Sequence, residues 1–74
     1  MPSKYPTCTP DDVCKALKRA GFSFIKQRGS HAKYSKDSRI VIVPMHDKDL
    51  KTGTLKGILE QSGMTVDEFI GYLK

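Results

Sequence analysis

Residues 29–55 read GSHAKYSKDSRIVIVPMHDKDLKTGTL, and this stretch decides the fold. Gly29-Ser30 lies between two runs of extended character, and glycine at the first central position suits a two-residue hairpin turn. A strand from about His31 to Ser35 comes next, then a turn at Lys36-Asp37-Ser38. Arg39 to Val43 forms a third strand whose apolar run predicts the centre of the sheet, and Pro44 ends it because proline donates no ladder hydrogen bond. Residues 45–51 read as a charged loop. Thr52 is the expected N-cap of a helix from Gly53 to Ser62 that buries Leu55, Ile58 and Leu59, with Gly63 as its stop.

Outward from that stretch, Thr9-Pro10-Asp11-Asp12 is a helix start: a capping hydroxyl, a proline at the first helical position and two acids facing the positive end of the dipole. Val13, Ala16, Leu17 and Ala20 recur at helical spacing, and Gly21 closes the helix. From Phe22 to Arg28 the period changes to two, with Ile25 interrupting the alternation, so this segment reads as the first strand. Thr65-Val66-Asp67-Glu68 has the form of a capping box, and Phe69, Ile70 and Leu73 give a short final helix its apolar stripe. The fold class is therefore α+β: a helix, a three-stranded antiparallel sheet, a helix and a short C-terminal helix, the order of a double-stranded-RNA-binding domain (dsRBD-like). Residues 1–8, polar and without periodicity, read as a loose lead-in to a single domain over residues 9–74.

A chain of 74 residues has room for one core, and a thin one. No stretch approaches the roughly 18 apolar residues of a membrane span, and the N-terminus lacks a signal-peptide pattern, so a cytoplasmic location without membrane contact is expected. Cys8 and Cys14 have no second pair to complete a zinc site and read as free thiols. The net charge is +5 with a pI near 9.4, and it is unevenly spread. Lys15, Lys18, Arg19, Lys26, Arg28, Lys33, Lys36 and Arg39 are accompanied by one acid, Asp37, between residues 15 and 39. Such a one-sided field suits a polyanion.

Among candidate chemical groups, His31 comes first. Imidazole exchanges protons near neutral pH, and a histidine that opens a strand beside a Gly-Ser turn, at the sheet edge, has a reachable ring. Arg28, Ser30, Lys33 and Lys36 are its neighbours in sequence, and cations there suit a charged phosphorane formed in RNA cleavage. Lys48, Lys51 and Lys56 flank the start of the second helix, where backbone N–H groups bind anions; a solvated charged turn explains them equally well. His46, with Asp47 and Asp49, suggests a metal site only weakly, because the donors lack a recognised spacing; a structural role, or one supporting the groups of the site from behind, fits it better. Phe22, Phe24 and Phe69 read as core, whereas Tyr34 suits either base stacking or packing on the sheet.

Gly21-Phe22, Gly29-Ser30-His31, Val43-Pro44 with His46, Gly53-Thr54-Leu55, Ile58-Leu59 and Gly63 with Phe69 together resemble the HicA family of toxin mRNA interferases, over about residues 11–73. The resemblance implies a dsRBD-like fold, metal-independent endoribonuclease activity on mRNA without a cofactor, and a HicB-type antitoxin as partner. It places the catalytic histidine at His31, while Arg28, Ser30, Lys33, Lys36, Lys48 and Lys51 are read as RNA-binding from their charge and position. The lead-in with Cys8 departs from the family pattern. The rival reading is a non-catalytic RNA-binding module of the same topology, which would need the lysines and not His31.

Overall fold

The computed structural model describes residues 5–46 and 48–73, so Asp47, Lys74 and the first four residues of the lead-in lie outside the described residues. Helix α1 (Pro10–Arg19) starts on a reciprocal capping box. The Thr9 hydroxyl accepts from the Asp12 N–H at 3.2 Å, and the Asp12 carboxylate accepts from the Thr9 N–H at 3.0 Å. The Thr9 backbone N–H, with its hydroxyl adding a smaller share, holds the Asp12 carboxyl below the usual carboxylate range. The stripe Val13, Ala16, Leu17 and Ala20 is buried, as its spacing predicts. Gly21, at φ +99°, then turns the chain in a conformation that glycine adopts without strain.

Strands β1 (Ser23–Arg28), β2 (His31–Lys36) and β3 (Arg39–Pro44) pair antiparallel in the order β1-β2-β3. Gly29, at φ +59°, supplies the left-handed first position of the β1–β2 turn. The sequence places β3 at the centre of the sheet; it is an edge strand, and β2 is the middle one. Two short turns make successive strands neighbours, so the second of three must lie between the others. The apolar run of β3 serves two surfaces instead. Val41 and Val43 are buried, whereas Ile40 and Ile42 are partly exposed on the opposite face. The outer edge of β3 is blunted by helix α2 (Thr52–Ser62), whose Gln61 side-chain oxygen accepts from the Ile42 N–H at 3.0 Å.

The break in alternation at Ile25 is a bulge: Phe24 pairs with Tyr34 and Lys26 with Lys33, leaving Ile25 as the extra residue. Phe24, read as core, is 49% exposed; it sits on an edge strand and meets Tyr34 edge-on, with ring centroids 5.6 Å apart. Tyr34 is buried, so its ring is part of the core and not a platform for a base. Phe22 and Phe69 are core, as expected.

The N-cap of α2 is Lys51 and not Thr52, and no side chain caps this helix. Gly63, at φ +76°, ends it. The capping box that opens α3 (Val66–Leu73) is present, with Thr65 and Glu68 exchanging hydrogen bonds of 2.9 and 3.1 Å. Helices α1 and α2 pack on the Val41–Val43 side of the sheet, and α3 packs on α1. Leu17, Leu55, Val13, Val41, Val43 and Phe69 form the innermost core. The end of the lead-in joins that core: Cys8 is buried and its carbonyl accepts from the Leu50 N–H at 2.9 Å. Cys8 and Cys14 are both free, and burial pushes each thiol above its usual value, which keeps them protonated and unreactive.

Candidate active site

Because the helices cover one side of the sheet, the other side presents every second residue of each strand to solvent. His31 is the first residue of β2, exposed and directly opposite Arg28 on β1 and Pro44 on β3. It therefore opens the central strand and not an edge strand; its ring is accessible because the sheet face is bare. Two residues further along the same face, Lys33 lies between Lys26 and Ile42. Like charges placed directly across a strand pair cost stability. None of the three strands contains a carboxylate to offset that cost. An anionic ligand would supply the missing counter-charge.

The β2–β3 pairing continues one step beyond Pro44, where the Ser30 carbonyl accepts from the Met45 N–H. This contact draws the Met45-His46 segment alongside the Gly29-Ser30 turn. His46 is exposed, and its Nδ1 accepts from the Lys48 N–H at 3.2 Å. An open pocket of about 380 Å³ lies beyond, lined by Pro44, His46, Lys48, Asp49, Lys51 and Thr54. Pro44 is the shared wall between this pocket and the row that holds His31. The first turn of α2 borders it with neither a capping side chain nor an acid of its own, and the pocket beside that positive helix end is lined by two lysines and the Asp49 carboxylate.

The structure thus brings together Arg28, Ser30, His31 and Lys33 on one side of Pro44, with Lys48 and Lys51 on the other. Lys36 is not with them. It lies at the far end of β2, roughly 17 Å along the strand from His31 at about 3.3 Å per residue. Its Nζ donates to the Ala20 carbonyl at 2.8 Å and stands over the Phe22 ring at 5.8 Å. It braces the C-terminus of α1, where a cation is favoured by the dipole. Lys26, Pro44 and Thr54 are members of the cluster that reading by residue type passed over. Counting back from the Gly-Ser turn pairs 28 with 31, and the same face then leads to Lys26, so Lys26 had a signal. Thr54 had none, since its place depends on how the 45–51 loop returns. Among the described residues, no three His, Cys, Asp or Glu side chains gather to hold a metal ion.

A basic, histidine-bearing sheet face backed by helices on the opposite side defines a small α+β domain of dsRBD-like topology. The family model described as the HicA toxin of bacterial toxin–antitoxin systems matches residues 10–64, and the chain belongs to that family. A search of curated protein sequences finds no match. No helix among the described residues is long and apolar enough to cross a membrane.

Proposed function

We propose that this chain is the toxin of a type II toxin–antitoxin pair and acts in the cytoplasm as a metal-independent endoribonuclease on mRNA. His31 is the general base. It takes the proton of an RNA 2′-hydroxyl, the 2′-oxygen attacks the adjacent phosphorus, and the bond to the 5′-oxygen breaks as that oxygen regains a proton from the imidazolium or from water. Arg28 and Lys33, on the same face, stabilise the charge that builds on the phosphate, and Lys48 and Lys51 hold the neighbouring backbone. The Ser30 carbonyl, bonded to Met45, fixes the turn that carries His31. The observation that carries this reading is the exposed His31 in a row with Arg28 on a strand face free of carboxylates. A HicB-type antitoxin covers that face, to which Ile40 and Ile42 add exposed apolar surface.

The test compares wild type with His31→Ala. General acid–base loss costs about 10²–10⁴ in rate, so purified His31→Ala should leave RNA intact and its induction should not arrest growth. Melting temperature and RNA affinity should stay near wild type, because an exposed side chain contributes within about 0.5 kcal/mol to stability. Chelator should leave wild-type cleavage unchanged, 2′-deoxy substitution at the scissile nucleotide should block it, and the co-purified antitoxin should suppress it. Undiminished cleavage by His31→Ala would refute the assignment, whereas RNA binding without cleavage by the wild type would favour a binding module.

A further inference from the structure

Pro44 is shared by two neighbourhoods, and the histidine two residues beyond it has no part in the chemistry described so far. We propose that His46 is a second substrate-contacting group of this site, donating a hydrogen bond from Nε2–H to a non-bridging oxygen of the scissile phosphate. The inference rests on the ribonuclease reading and adds a residue to it.

Position is the first argument. His31 pairs with Pro44, and the Ser30–Met45 hydrogen bond extends that pairing by one step. Directly opposed residues of antiparallel strands lie about 4.5–5.5 Å apart at Cα, and residues two apart along an extended chain about 7 Å. His46 is therefore close enough to His31 for one phosphodiester linkage to reach both. Its ring lines the pocket with Lys48, Lys51 and Thr54, the groups best suited to hold a phosphate.

The tautomer of the ring points the same way. A backbone N–H can only donate, so the Lys48 N–H that meets Nδ1 at 3.2 Å requires that nitrogen to be the acceptor. The ring's proton then resides on Nε2. In this arrangement His46 presents an N–H donor on a ring held by the Lys48 hydrogen bond. Donors aimed at developing negative charge serve the transition state in the manner of an oxyanion hole. The two histidines thereby divide the labour: His31 moves the proton, and His46 holds the oxygen on which charge accumulates. The charged groups that share its pocket are Lys48, Lys51 and Asp49.

Substitutions that keep one ring nitrogen at a time provide the test. The amide nitrogen of glutamine reaches the place of Nε2 and donates as it does, whereas the amide oxygen of asparagine reaches the place of Nδ1 and accepts from the Lys48 N–H. With the full chain and a short RNA containing one cleavable linkage, His46→Ala should lower kcat by about 10²-fold, with a smaller change in KM. His46→Gln should recover at least about tenfold of that loss, and His46→Asn should not. Recovery by asparagine and not glutamine would show that the ring only braces the loop through Nδ1, and would overturn the inference. Equal activity of His46→Ala and wild type, with His31→Ala inactive, would overturn it while leaving the ribonuclease reading intact. A wild type that cleaves no RNA would overturn both.

Discussion

Lys33 and Lys36 are three positions apart and have opposite occupations. Lys33 shares the bare face of the sheet with His31, whereas Lys36 points to the other side and donates to Ala20. Replacing Lys36 with methionine should cost about 1 kcal/mol of stability, the worth of one hydrogen bond, and leave RNA affinity and cleavage unchanged. Replacing Lys33 with methionine should do the reverse, weakening RNA binding with little change in melting temperature. Comparable loss of RNA affinity in both variants would contradict this separation. The distinction was available in the sequence, since a period of two from His31 reaches residue 33 and misses 36. Charge and proximity alone obscured it. Gly29-Ser30-His31 was legible because a glycine in a two-residue turn fixes both the turn and the first residue of the next strand. The place of Thr54 was not, for a loop without periodicity decides it.

At the level of the element, α1 shows how a cap can be tested by pH. The Asp12 carboxyl is held below its usual range by its hydrogen bonds to Thr9. A carboxylate lowered on folding adds stability that is complete above its unfolded pKa and is lost as pH falls through the lower folded value. Thr9→Ala should cost about 1 kcal/mol near neutral pH. Asp12→Asn, which removes the titrating group, should flatten the decline in melting temperature below about pH 4, where an unperturbed aspartate titrates. A variant that keeps the wild-type acid dependence would show that the box is not the cause. Both capped helices, α1 and α3, are written directly in their Thr-x-x-acid signatures. The start of α2 was displaced by one residue because Thr52 looked like a cap, and the consequence is chemical. Lys51 at that position offers no side-chain acceptor, so the first turn remains open to an anion. The position of β3 was misjudged for a different reason: an apolar run reports burial, and it cannot say whether burial comes from neighbouring strands or from helices.

For the whole molecule, the two sides of the sheet divide the core from the candidate site. The helix-covered side holds the core, and the bare side holds Lys26, Arg28, His31 and Lys33. If these cations with Lys48 and Lys51 make about five contacts to single-stranded RNA, the log–log dependence of affinity on salt should have a slope of roughly −3 to −4. The His31→Ala protein allows the measurement without cleavage, and each lysine removed from the cluster should make the slope shallower by about 0.7. A slope near zero would remove the electrostatic basis of the site. The one-sided placement of helices was legible through alternating burial, and the short turns carried the strand order that the apolar run of β3 masked. The pocket beside Pro44 was not, because it exists only where the β3 end and the α2 start converge.

Phe69, fully buried on α3, carries a temporal consequence. The three strands pair with their neighbours in sequence, but α1 must wait for α3, whose Tyr72 carbonyl accepts at 2.8 Å from Arg19, 53 positions earlier. Residues 28–54, which bear the site, thus leave the ribosome before the side chain that seals the core beneath them. On the ribonuclease reading, synthesis itself delays competence until α3 has emerged. A chain ended at Gly63 keeps every candidate site residue and should be inactive; RNA cleavage by it would show that the hairpins suffice.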